Sequence, residues 1–363
     1  MTLQSVAEKM NIGSYQTLSS VERGTRSLRA SELTQLCRIY HRNVDFFLSE
    51  DEPVEVPAVF AWRSKSDEAD PSVLEAEVLH LLNNYHMLEQ LSDEPECDDL
   101  KVWDSDDEPL TIESVQKKAG EILEALDLSH CPGNDLVSAL EKKMNVKIIN
   151  YDLGGHGSAM CTYGGFGYAI AVERTHAPWR RSFSIAHELF HLLSRDIFPL
   201  AKVHKSGSGT KPIEEVLADA FAASLLLSED ALLNSVEKHV KEGKIAFRDL
   251  EYVAFDLGVS TAALLWRLVN LKRIAKDDVQ SYLTSPQHQH ASKNIRRGAN
   301  TYAPKFSNRF VLLGLKALDE GKISKGKFCE IFGISRHEFS DFIAERGDFE
   351  GTVDDSEIEL NYT

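Results

Sequence analysis

Five residues, His187-Glu188-Leu189-Phe190-His191, constrain this 363-residue chain more than any other stretch. They sit in a run where Ile185, Ala186, Leu189, Phe190, Leu192 and Leu193 make a helix apolar over most of its circumference, so the helix is predicted to be buried. Residues four apart share a helix face, which sets the imidazoles of His187 and His191 side by side. Two buried imidazoles with a carboxylate beside them are costly without a partner, and a metal ion suits their chemistry. Glu188 lies roughly 100° round the helix, where it cannot easily ligate the same ion but can reach a water bound to it. That is where a zinc hydrolase needs its general base.

A catalytic zinc site takes three protein ligands and leaves a fourth position open. The next helical segment, Ile213 to Leu227, is alanine-rich and apolar on one face, with Glu215 and Asp219 four apart on one side. Glu215 is the expected third ligand, and Asp219 can accept a hydrogen bond from the second ring nitrogen of a ligand histidine. Glu214, Asp219 and His204 stand as alternatives for the third ligand.

The two segments together resemble the ImmA/IrrE family of zinc metallopeptidases. The resemblance rests on Trp179-Arg180-Arg181-Ser182-Phe183 ahead of the motif and on Glu215-Val216-Leu217-Ala218-Asp219-Ala220-Phe221-Ala222-Ala223 after it. Gly258-Val259-Ser260, then Ala262, Ala263, Leu264 and Arg267-Leu268, is similar to the segment that ends the family's peptidase domain. The resemblance covers roughly residues 111 to 275 and implies a zincin-like core with Zn2+ on His187, His191 and Glu215. Phe190 stands where many members have Gly, and Leu227-Ser228 where many have Met-Pro, so the substrate cleft is expected to be differently shaped.

The predicted fold is mainly α with a small sheet, an α+β arrangement. Ile112 to Leu126 and Asp135 to Met144 have helical periodicity, whereas Val146 to Tyr151 and Tyr168 to Val172 read as strands. Glycines between residues 154 and 167 punctuate the turns. Tyr168 to Val172 is the candidate edge strand for pairing with a substrate backbone. Tyr163, Tyr168 and His176 are candidates for stabilising the oxyanion.

A net charge of −17 opposes attraction of the whole molecule to nucleic acid. No apolar run approaches the roughly 20 residues that span a bilayer, and no signal-peptide pattern opens the chain, so a cytoplasmic location is expected. Cys37, Cys97, Cys131, Cys161 and Cys329 lack metal-finger spacing and read as reduced and structural.

Residues 1 to 43 depart from the acidic average: Lys9, Arg23, Arg26, Arg29, Arg38 and Arg42 against Glu8, Glu22 and Glu32 leave +3. Helices are predicted over Leu3 to Met10, Tyr15 to Arg23 and Ser31 to Tyr40. Val6-Ala7, Ile12, Leu18-Ser19, Val21-Glu22-Arg23-Gly24, Glu32-Leu33 and Asp45-Phe46-Phe47 resemble the Xre (Cro/C1-type) helix-turn-helix domain, whose first helix has no counterpart after Met1. The resemblance implies that Tyr15, Gln16 and Thr17 approach DNA bases, with Arg23, Arg26 and Arg29 on phosphates.

Four segments follow: 1–50 Xre-type; 51–110 a connector with one helix over Val73 to Leu91 and an acidic loop; 111–275 the peptidase; 276–363 a basic linker and a small helical module. The acidic loop, Ser92 to Glu108, holds nine Asp or Glu residues against Lys101 and reads as solvated. Lys293, Arg296, Arg297, Lys305, Arg309 and Lys316, interleaved with Tyr302, Phe306 and Phe310, suit a linker, single-stranded nucleic acid or a protein partner. Gly321-Lys322-Ile323-Ser324 and Phe332-Gly333-Ile334-Ser335 mark a further helix-turn-helix-like module, and Glu350 to Thr363 reads as an acidic tail.

The family resemblance implies an endopeptidase that makes a limited cut in a regulatory protein, an Xre-type repressor or an antitoxin, in phage, mobile-element or stress responses. The alternatives are a DNA-binding transcriptional regulator and an antitoxin-like protein, in which the peptidase fold serves as a sensor or binding module. The expected partners are a protein substrate and DNA, double-stranded through the N-terminal helices or single-stranded as an activator, with no membrane.

Overall fold

A computed structural model describes residues 2–12, 14–40, 44–48, 58–62, 72–94, 100, 103, 110–128, 132–200, 211–286, 288 and 302–344. Lys293, Arg296, Arg297, His204, Cys97, Cys131 and the 350–363 tail lie outside the described residues.

The first four helices are α1 (Leu3–Lys9), α2 (Tyr15–Glu22), α3 (Ala30–Tyr40) and α4 (Val44–Leu48). Thr2 and Ser14 cap α1 and α2 by accepting hydrogen bonds from the backbone N–H groups of Ser5 and Gln16. Val6, Ala7, Met10, Leu18 and Leu36 form a small core of their own. α1 to α3 fall within a residue of their predicted ranges, and α4 is an added short helix.

The centre of the molecule is a four-stranded mixed sheet of β1 (Val59–Trp62), β2 (Lys147–Tyr151), β3 (Ala159–Gly164) and β4 (Gly167–Glu173), in the order β1-β3-β4-β2. β3 and β4 form an antiparallel hairpin that closes between Gly164 and Gly167, where Gly167 takes a φ of 88° that a side chain would strain. β2 runs parallel to β4, and β1 pairs antiparallel with β3.

Strand alternation sends side chains to two distinct cores. Ile148, Cys161, Ile170 and Val172 face α6 (Ile112–Leu126), α7 (Pro132–Lys143), α8 (Pro178–Leu193) and α9 (Ile213–Leu226), with α10 (Glu229–Glu237), α11 (Phe247–Asp256), α12 (Thr261–Asn270) and α13 (Lys276–Leu283) packed beyond. Ile149, Met160, Ala169 and Ala171 face α5 (Ser72–Leu91), α14 (Asn308–Asp319), α15 (Lys325–Phe332) and α16 (Phe339–Ala344). The helix of the connector and the C-terminal module therefore share one core on the far side of the sheet. Among the described residues, no single helix is long and apolar enough to cross a membrane.

Buried charges join those far-face elements. Glu89 on α5 bonds Lys147 on β2 at 2.7 Å and Arg309 on α14 at 2.6 Å. Burial alone would raise the Glu89 carboxyl, but His86, Lys147 and Arg309 outweigh it and hold it below its ordinary range. Tyr85 stacks on Phe310 at 4.4 Å and donates a hydrogen bond to Glu141, whose carboxyl burial pushes up to about 7.

Three expectations need correction. Tyr168 to Val172 is not an edge strand: β3 and β2 flank β4, so its backbone groups are already paired. The glycine-rich stretch concealed β3; the outer strands are β1 and β2, and on β2 Ile149 makes a bridge to Phe306. The acidic loop is not wholly solvated, because Leu100 and Trp103 are buried and Trp103 packs on Phe190 and Phe221. The described part of the basic segment is used internally: Phe306 and Phe310 are core residues, Arg309 is held by Glu89 and Glu94, and Lys316 donates to the Ser92 carbonyl.

Candidate metal centre

α8 begins at Pro178, whose fixed φ and missing N–H suit a first helical turn, and its second half is buried all round. α9 packs against it, with Leu217, Ala218, Phe221, Ala222 and Leu225 in the same core. Small alanines let the two helices approach closely enough for their polar side chains to meet between them.

His187, His191 and Glu215 are each at most 3% exposed and point donor atoms at one another. The Nε2 atoms of the histidines are 3.2 Å apart. Glu215 Oε2 lies 3.5 Å from His187 Nε2, and Oε1 lies 3.3 Å from His191 Nε2. Ligands at about 2.0–2.1 Å from a tetrahedral zinc stand about 3.3 Å from one another. Each Nε2 lies about that far from the other and from one Glu215 oxygen, a different oxygen for each histidine, and the donor set of two imidazoles and a carboxylate fits a divalent metal.

Asp219, one turn along α9, accepts a hydrogen bond from His187 Nδ1 at 3.0 Å. That contact fixes the proton on Nδ1 and leaves the Nε2 lone pair for the cluster. Asp219 is partly exposed and also pairs with Lys211. Burial would raise its carboxyl, but hydrogen bonds from His187 and Lys211 overcome this and hold it low. Glu214 stays outside the cluster, so of the described alternatives Glu215 has the third-ligand geometry and Asp219 the supporting one.

Glu188 is 3% exposed, on the side of α8 turned toward the sheet. There it meets Cys161 on β3, fully buried, with its thiol within hydrogen-bonding reach of the carboxylate. Burial, then the neighbouring Glu188 and Glu215, push the thiol pKa well up, so Cys161 stays protonated and donates. Sequence reasoning missed this contact. Alternation places Cys161 on the helix-facing side of β3, but nothing local shows that Glu188 lies opposite.

Two of the oxyanion candidates, Tyr163 and Tyr168, are engaged by Arg195. Arg195 donates to the Tyr168 hydroxyl at 2.9 Å and lies over the rings of Tyr163 and Tyr168. Both tyrosines line a separate cavity of about 510 Å³ beside Glu89 and Lys147. His176 precedes α8, and nine residues of helix, roughly 14 Å, separate the start of that helix from His187. Phe190 does not shape a cleft, since it is a core residue against Trp103 and Phe221; Leu227 does line one, described below.

In the N-terminal helices, Tyr15 and Gln16 are exposed on the first turn of α2, with Thr17 half-buried beside them. Arg23 donates to the Ser19 carbonyl of its own helix, and Arg26 is paired with Glu32 at 2.7 Å.

Residues 141–269 match the family model of Peptidase_M78, the IrrE N-terminal-like domain. The matched span starts within α7, ends in the last turn of α12 and contains all three donors together with Glu188 and Asp219. This part of the chain is thus similar to the ImmA/IrrE type of metallopeptidase, a metal-dependent class. No curated protein shows a significant match to the chain.

Proposed function

We propose that the chain is a zinc-dependent endopeptidase that makes a limited cut in a regulatory protein, an Xre-type repressor or an antitoxin. The observation that carries the peptidase reading is the convergence of His187, His191 and Glu215 in one buried cluster, with Glu188 next to His187 in the chain. A zinc ion held there would polarise a scissile carbonyl and lower the pKa of a water. Glu188 takes the proton from the attacking water and delivers it to the leaving amine. Cys161 holds the Glu188 carboxylate in place, and Asp219 holds the His187 ring. The regulatory substrate follows from the family resemblance and from the helix-turn-helix character of α1 to α4, with Tyr15, Gln16 and Thr17 as the proposed DNA-facing positions. Engagement of Arg26 by Glu32 leaves less charge there for phosphates.

A Glu188→Gln variant should retain zinc, measured by metal analysis after dialysis, and lose cleavage of a candidate repressor by at least about 100-fold, the lower range for a missing general base. Full cleavage by that variant would sink the mechanism.

A further inference from the structure

The metal cluster is one end of a longer seam. Along α8, Trp179, Phe183, His187 and His191 recur every four residues and so fall near one face. Glu215, Asp219, Ala223 and Leu227 do the same from α9 onward. The contacts His191–Glu215 and His187–Asp219 show that the two helices run antiparallel. Continued one and two turns further, the seam sets Phe183 near Ala223 and Trp179 near Leu227.

A groove of about 640 Å³ opens there, lined by Trp179 and Phe183 of α8, Ala220 and Ala223 of α9, and Ala263 and Trp266 of α12 among others. The alanines leave the space, and the aromatic rings wall it. The Phe183 ring is 6.5 Å from the His187 ring, so the groove starts about one turn, roughly 6 Å, from the donors. Among the described residues that line it, the charged ones are Arg180 and Arg267, which do not favour a basic side chain. Trp266 is 36% exposed, an aromatic surface left without cover. β4, the strand that leads into α8, is paired on both sides, so it offers no open edge to a substrate backbone and side-chain recognition carries more of the binding.

We propose that this groove receives a large apolar side chain, Leu or Phe in size, from the protein being cut, beside the scissile bond. The inference rests on the peptidase reading above. It makes Ala223 and Ala263 specificity-determining: a larger residue at either fills the space the substrate needs.

The test uses the zinc-loaded full chain and a series of peptide hydroxamates that differ only in the side chain next to the metal-binding group, Gly, Ala, Leu or Phe. Affinity is read by calorimetry and by the fluorescence of Trp179 and Trp266, two of the four tryptophans. The Leu and Phe compounds should bind about 10- to 100-fold more tightly than the Gly compound, the gain from burying one such side chain. Ala223→Phe, and independently Ala263→Leu from a different helix, should bring that ratio to within about threefold of one while zinc content stays as in the parent. Equal affinities across the series in a protein that holds zinc would overturn the groove and leave the metal centre standing. A preference that survives both variants would also overturn it. A chain that takes up neither zinc nor any hydroxamate would overturn the peptidase reading, and the groove proposal with it.

Discussion

Two buried polar clusters lie on opposite faces of one small sheet, and they differ in what they contain. On the far face Glu89 meets Lys147 and Arg309, and Tyr85 meets Glu141, so each charge or hydroxyl has its complement within the chain. On the near face two imidazole nitrogens and a carboxylate converge, and all three offer lone pairs to a common point. The first cluster is complete as folded and joins three stretches of sequence. The second gathers two imidazoles and a carboxylate of a kind that could hold a metal ion. Burial is nearly equal, so accessibility would not separate them; the signs and lone pairs do.

The comparison can be broken most severely at the near face. His191→Ala should reduce metal from about one ion per chain to near zero, because two remaining donors hold a catalytic metal poorly. Metal analysis and circular dichroism on the same sample check it, and an undiminished metal content with the fold intact would break the contrast. A change on the far face should have the reverse signature. Glu89→Ala leaves Lys147, 1% exposed, with one fewer counter-charge and should cost about 3–5 kcal/mol in urea unfolding while zinc content is unchanged. A loss below about 1 kcal/mol would show that apolar packing alone joins α5 and α14 to the sheet.

The smallest effect concerns Glu141. Its carboxyl is raised from 4.5 to about 7 by burial, so the folded state holds that proton more tightly than the unfolded chain does. The resulting stabilisation is full below about pH 4.5 and is lost as pH rises through about 7. Glu141→Gln should remove this part of the pH dependence: between pH 5 and pH 8 the parent should lose more denaturation resistance than the variant. Identical pH profiles would show that Tyr85 and Arg309 already offset the buried charge.

Most helices could be read directly. α5, α6 and the three N-terminal helices fall within about a residue or two of where periodicity and caps place them, because those signals are local. The pairing of His187 with His191 was equally accessible, since four-residue spacing on a helix dictates a shared face. β3 and β1 were not. Four to six residues among glycines carry too little pattern to announce a strand, and losing β3 made its neighbour β4 look like an edge. The cation-and-aromatic stretch after Tyr302 misled for a related reason: Arg309 and Phe310 look the same in sequence whether they face solvent or a partner more than two hundred positions away.

From the sequence alone came the residues that converge in the His187-His191-Glu215 cluster and most of the helices, all consequences of short-range periodicity and side-chain chemistry. The tertiary structure decided which strand is internal, what holds the C-terminal module, that Cys161 touches Glu188, and that the metal seam runs on into an apolar groove. Those depend on contacts between distant segments, and no local pattern encodes which distant partner a buried face will find.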